Sequence, residues 1–73
     1  MEILPLVIAP CNKALRIIKV LADEKTKKHL ESLGIGVDKE IEIIFQQKGS
    51  VICKVMEGSL ALDRNIATKI MVM

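Results

Sequence analysis

Residues 58–73 read GSLALDRNIATKIMVM, and this stretch decides the fold. Its pattern is that of a turn, a short strand, one helical turn and a final short strand. Leu60 and Leu62 share a strand face, and Asp63 can cap the helical turn, predicted at about 63–68. A strand that leaves a sheet and re-enters it through one capped turn is typical of a small five-stranded β-barrel. The segment offers no nucleophile, general base or metal cage, which favours a binding role over catalysis.

Two segments upstream show the period-two alternation of half-buried strands, residues 40–47 and 51–56. Their predicted inward side chains are Ile41, Ile43, Phe45, Val51, Cys53 and Val55. Residues 48–50 form the turn between them. Glu57-Gly58 can form a two-residue hairpin turn to the next strand, because glycine readily adopts positive φ. The three strands therefore predict a meander.

The first strand is predicted at residues 14–21, where the alternation is imperfect because Ile17 and Ile18 are adjacent. Either a β-bulge shifts the phase or both faces of the strand are partly covered. Residues 1–13 are apolar at first and contain two prolines, so they predict an extended N-terminal arm with a short edge strand as an option.

A helix is predicted at about residues 24–33, with Asp23 as its N-cap and Gly34 as its stop. Only Leu30 and Leu33 are strongly apolar within it. The helix should therefore pack through its C-terminal half and leave a charged face in water.

The chain has 73 residues, the size of one small domain, and a net charge of +2. This positive charge is too small to favour nucleic acid or an anionic membrane as a partner. Cys11 and Cys53 are far apart and form no CxxC motif, which favours a reducing cytoplasm over secretion. The longest apolar run, residues 3–9, is too short to cross a bilayer. An enzyme is the least expected class, since no catalytic or cofactor-binding motif is present.

Three motifs in this order resemble the ferrous iron transport protein A (FeoA) family. They are Leu33-Gly34-Ile35, then Gly58 with Leu60-Ala61-Leu62, and finally the spacing Ala67, Ile70, Val72. The resemblance spans roughly Ala14 to Val72. Val37 and Asp38 stand where the family usually has proline and glycine, and aspartate tolerates turn geometry.

The resemblance implies an SH3-like small β-barrel, related to the C-terminal domain of DtxR-type iron-dependent repressors. It also implies a non-enzymatic cytoplasmic accessory protein that binds and modulates the ferrous iron transporter FeoB, at the cytoplasmic GTPase domain of that membrane permease. The transporter would recruit the chain to the inner face of the membrane without direct insertion. Because exposed strand edges can pair with each other, a weak homo-oligomer is kept as an alternative to a monomer.

The segment around the helix end is predicted as the partner-binding surface, formed by Lys27, Leu30, Glu31, Leu33, Gly34 and Ile35. In this interpretation Ile35 and part of Leu30 are exposed anchors, rimmed by Lys27 and Glu31. The competing interpretation is a helix end whose leucines are docked on the barrel.

No metal site is predicted, and the candidate ligands are His29, Cys11 and Cys53. One histidine needs two or three companions to hold a transition metal, and no carboxylate has ligand spacing to His29. Cys53 is expected in the core as a small apolar residue. The alternative function is a small transition-metal-binding protein, a sensor or carrier of Fe(II) or Zn(II).

Overall fold

The computed structural model describes residues 2–56 and 58–73, and it has the mainly β architecture of a small SH3-like barrel. The strands are β1 (Leu4–Pro5), β2 (Ala14–Val20), β3 (Glu40–Gln47), β4 (Ser50–Val55), β5 (Gly58–Leu62) and β6 (Ile70–Val72). The helices are α1 (Glu24–Ser32) and α2 (Arg64–Lys69), with a 3-10 helix at Leu6–Ile8. The antiparallel sheet has the order β1-β6-β2-β3-β4-β5.

The sheet contains the five predicted strands and a sixth from the N-terminal segment. Leu4 pairs with Val72, and Leu6 in the following 3-10 helix is fully buried. The short edge strand that the sequence left as an option is therefore present, whereas residues 6–9 differ from the expected extended arm, because Leu6 and Ala9 gain burial against the barrel. Pro5 is tolerated in β1 because β1 is an edge strand.

The irregular alternation of β2 reflects a register shift between Ile17 and Lys19 in the pairing with β6. Ile17 and Val20 are both buried, and Ile18 between them is half-buried. A strict alternation could not bury both Ile17 and Val20, three positions apart. The bulge predicted as one of two explanations is confirmed.

Helix α1 begins as predicted, because the Oδ1 atom of Asp23 accepts a hydrogen bond of 2.8 Å from the backbone N–H of Thr26. Hydrogen bonds from the Thr26 side chain and backbone hold the pKa of the Asp23 carboxyl below its usual value. In α2, Asp63 is the N-cap and its Oδ1 accepts from the N–H of Ile66 at 2.8 Å. Both predicted caps are confirmed.

Helix α1 ends in a Schellman motif, with Gly34 at a φ of 94°. The N–H of Gly34 donates to the carbonyl of Glu31 at 3.0 Å, and the N–H of Ile35 donates to the carbonyl of Leu30 at 2.9 Å. This closure turns Ile35 back over Leu30, and both side chains lie in the core.

Strand β3 contains a second bulge that the alternation did not predict. Ile43 lies opposite Cys53, but the next pair is Phe45 with Ile52, so Ile44 is the extra residue. Ile41 and Ile43 are buried as predicted, whereas Phe45 is 54% exposed. The inward orientation predicted for Phe45 is wrong, because one extra residue moves every later side chain to the other face.

The inward residues of β4 are as predicted, since Val51, Cys53 and Val55 are all buried. Val55 pairs with Gly58, so Gly58 belongs to β5 and not to the turn. The predicted Glu57-Gly58 turn lies partly outside the described residues, because Glu57 is not among them.

The turn between β3 and β4 requires glycine at position 49. Gly49 has a φ of 88°, and a Cβ built there would lie 2.7 Å from the Cγ and Cδ atoms of Arg64. We expect Gly49→Ala to lower the free energy of unfolding by about 1 to 3 kcal/mol, from backbone strain and displacement of Arg64. Urea unfolding followed by far-UV circular dichroism measures this loss.

The matched control is Gly36→Ala, because the Cβ at Gly36 would meet its nearest atom at 3.5 Å and Gly36 has no positive φ. We expect the control to change the free energy of unfolding far less than Gly49→Ala. Equal losses in the two variants would contradict the role given to the turn.

Candidate protein-binding site

The outer face of the β3-β4-β5 meander carries a row of exposed apolar side chains. Phe45 lies opposite Ile52, and Ile52 lies opposite Ala61 on the next strand. Phe45 is 54% exposed and Ile52 38% exposed, and the bulge residue Ile44 adds a further exposed side chain. We call Ile44, Phe45, Ile52 and Ala61 the outer apolar strip.

The next outward row of the sheet is polar, with Glu42 opposite Lys54 and Lys54 opposite Ser59. Met56, 93% exposed, follows the end of β4. An apolar centre beside charged side chains is the usual composition of a protein-binding surface. The aromatic ring of Phe45 is the largest exposed apolar group in this arrangement and is suited to be an anchor.

The surface predicted at the helix end is only partly available. Leu30 is 2% exposed and Ile35 is fully buried, so the expectation that they are exposed anchors is wrong. The physical reason is the Schellman closure, which packs Ile35 against the helix end instead of releasing it to solvent. Leu33 and Gly34 are half-buried.

Lys27 and Glu31 do line a common groove, which Val37 and Lys19 complete. Val37 is 57% exposed, and the sequence had indicated it only as a turn residue. The Nζ atom of Lys27 also lies 3.9 Å from the Oε1 atom of Glu24. An exposed ion pair of this kind contributes little to stability. We call this feature the α1 groove. It is a second candidate surface, with Val37 as its exposed apolar residue.

The candidate metal ligands lie in different environments. Cys53 is fully buried in β4, and burial raises the pKa of its thiol to about 11. Cys11 and His29 are exposed, one before β2 and the other on α1. Within residues 2–56 and 58–73, the structure has no group of three or more His, Cys, Asp or Glu side chains placed to hold a metal ion. The absence of a metal site stays a prediction.

The outer apolar strip was missed because its signal was interpreted as a regular strand. Ile43 and Ile44 are adjacent apolar residues, as are Ile17 and Ile18 in β2. In β2 this doublet indicated a bulge as one of two explanations, and a bulge after the doublet in β3 would have placed Phe45 outside. The doublet is therefore the sequence signal for the strip.

None of the helices among the described residues is long and apolar enough to cross a membrane.

Known structures with the same fold include iron uptake and manganese-dependent proteins. A crystal structure of the iron uptake regulatory protein FeoA matches with a TM-score of 0.86 and 19% identity, over 100% of this chain and 97% of that one. The NMR structure of a FeoA-like protein from Clostridium acetobutylicum matches with a TM-score of 0.81 and 19% identity, over 100% and 87% of the two chains. At these identities the likeness shows the fold alone.

A manganese-dependent transcriptional repressor contains the same fold as one part of a longer chain. It matches with a TM-score of 0.86 and 16% identity, over 99% of this chain and 41% of the repressor. At this identity the likeness shows that the two share a fold and no more. A comparison with curated proteins gives no significant match.

The FeoA domain family matches residues 4–73, which is nearly the whole chain. The match extends beyond the motifs quoted above to the N-terminal segment that forms β1. The chain therefore belongs to the FeoA domain family, and this membership implies involvement in ferrous iron transport.

Proposed function

We propose that the chain is a non-enzymatic cytoplasmic accessory protein that binds the ferrous iron transporter FeoB and modulates Fe(II) uptake. The outer apolar strip is the observation that carries this proposal. The family supplies the link to iron transport, and the strip supplies a surface through which a small domain can act on a transporter. The cytoplasmic GTPase domain of FeoB is the proposed partner.

The strip has the physical features of a docking surface. Its side chains lie on three paired strands of a rigid sheet, so binding requires little loss of backbone entropy. Docking can bury the 54% of Phe45 that is exposed, which contributes roughly half of the about 1.5 to 3 kcal/mol gained on fully burying such a side chain. Glu42 and Lys54 beside the strip can fix the orientation of the partner through charge complementarity.

We expect Ile52→Lys to weaken binding to the isolated FeoB GTPase domain at least about tenfold, because a lysine at the centre of the strip must lose water on docking. Ile52 is 38% exposed on the outer face of the sheet, so a lysine there can extend into solvent, and far-UV circular dichroism of the variant checks that the fold is kept. Retention of the chain by the immobilised GTPase domain, followed by calorimetry, measures the effect.

The matched control is Val37→Lys, which makes the same kind of change at the exposed residue of the α1 groove. We expect this variant to bind like the unchanged chain. Loss of binding in Val37→Lys with retention in Ile52→Lys would move the site to the α1 groove, where Lys27 and Glu31 were predicted. No retention of the unchanged chain by the GTPase domain would overturn the proposal itself.

The absence of a resident metal is also proposed, and calorimetric titration with ferrous iron and with zinc tests it. We expect no stoichiometric binding in the micromolar range, since His29, Cys11 and Cys53 form no described cluster. Stoichiometric binding that His29→Ala abolishes would favour the alternative of a metal sensor or carrier.

A further inference from the structure

Strand β5 is an open edge of the sheet. It is the last strand in the sheet order and pairs with β4 alone, from Val51 with Leu62 to Val55 with Gly58. Among the described residues, Gly58–Leu62 make no backbone hydrogen bond beyond this pairing. Half of the backbone N–H and C=O groups of an edge strand point away from its neighbour, so β5 presents a row of hydrogen-bonding groups to solvent.

This edge lacks the features that normally prevent strands from pairing. The residues of β5 read Gly-Ser-Leu-Ala-Leu, without a charge or a proline. The opposite edge, β1, is two residues long and contains Pro5. Natural edge strands are commonly protected by shortness, proline, bulges or charged side chains. By this criterion β1 is protected and β5 is not.

We propose that β5 pairs antiparallel with β5 of a second copy of this chain, centred on Leu60. Leu60 lies on the core side but is only half-buried, because no strand covers its outer flank. In the proposed pairing, Leu60 of each copy lies beside Leu60 of the other, which completes the burial of both. On the outer face, Ser59 lies opposite Ala61, and two small side chains let the sheets approach without a clash.

A second copy is the occupant that the observations favour, because the chain itself supplies the matching element. The pairing needs a partner strand of similar length, uncharged and unpaired on one side, and β5 meets each of these conditions. The contact is isologous, so it closes at two copies. Of the outer apolar strip it involves only Ala61, on the edge strand itself, so Phe45 and Ile52 stay free for the proposed transporter contact.

Sedimentation equilibrium of the chain alone, over micromolar to millimolar concentrations, tests the proposal. We expect a concentration-dependent monomer–dimer equilibrium. Leu60→Lys sets two like charges opposite each other and removes apolar contact at the axis, so it should weaken dimerisation at least about tenfold. Ser59→Lys is the second variant, because Ser59 is exposed and its substitution does not touch the core. It should also weaken the dimer, as lysines do at natural edges.

Val37→Lys is the matched control, since it adds the same charge at an exposed residue that belongs neither to β5 nor to its neighbour β4, and we expect it to dimerise normally. A monomer at every concentration overturns the proposal, as does a dimer that neither edge variant weakens. Amide hydrogen exchange in β5 gives a further test. If exchange in β5 slows when the FeoB GTPase domain is added, and does not slow when the concentration of the chain is raised, the edge binds the transporter and the dimer proposal is overturned.

Discussion

Ile43→Ala is expected to remove about 2 to 5 kcal/mol from the free energy of unfolding, through lost apolar burial and the cavity that remains. Ile43 is fully buried and belongs to the single described core cluster. A domain of 73 residues has a total stability of only roughly 4 to 11 kcal/mol. The variant should therefore lose a large fraction of its stability and unfold at a much lower urea concentration than the unchanged chain.

The neighbouring substitution Ile44→Ala is the matched control, because it removes the same atoms from the 41%-exposed bulge residue. We expect it to cost less than about 1 kcal/mol. Urea unfolding monitored by far-UV circular dichroism suits both variants, since the chain has no Trp or Tyr for fluorescence. Equal losses at positions 43 and 44 would show that the bulge lies elsewhere.

The second large effect is a difference in reactivity between the two cysteines. Burial raises the pKa of the Cys53 thiol to about 11, so at pH 8 only about one molecule in a thousand carries the reactive thiolate. The side chain is also fully buried, so an alkylating reagent reaches it only when the barrel opens. Cys11 is exposed. We expect iodoacetamide to modify Cys11 at least about a thousandfold faster than Cys53 in the native protein.

Mass spectrometry of the alkylated chain measures this difference. One adduct should form under native conditions and two in denaturant, and the Cys11→Ser variant should give none until it unfolds. Comparable native rates at the two positions would contradict the placement of Cys53 in the core. Because the barrel recloses faster than iodoacetamide reacts, the alkylation rate of Cys53 reports the equilibrium population of the open form and gives an independent check on the stability of the core variants.

Several features of the fold could be predicted because their causes are local. Asp23 and Asp63 each accept a hydrogen bond from an N–H three residues later, and Gly34 supplies the positive φ that ends α1. The alternation of β4 survives intact in the structure, with Val51 and Cys53 buried. The caps depend on contacts within a few residues, and the alternation of β4 is a pattern within one short segment.

The candidate site was harder to predict because it depends on register and on contacts between distant segments. The bulge at Ile44 decides that Phe45 faces water, and the pairing with β4 and β5 then places Phe45, Ile52 and Ala61 in one row. At the end of α1, the sequence allowed Ile35 to be exposed or docked. In the folded barrel Ile35 is buried, because full burial of an aliphatic side chain stabilises the folded state by about 1.5 to 3 kcal/mol.

By itself, the sequence determined the helix caps, the meander, the burial of Cys53 and the family, because periodicity and capping are properties of short segments. Only the tertiary structure decided that β1 joins β6, that Phe45 is outside and Ile35 inside, and that β5 is left as an open edge. Which edge is covered and which face meets water depends on how strands far apart in the chain come together. A one-residue difference in that pairing reverses the exposure of a whole strand.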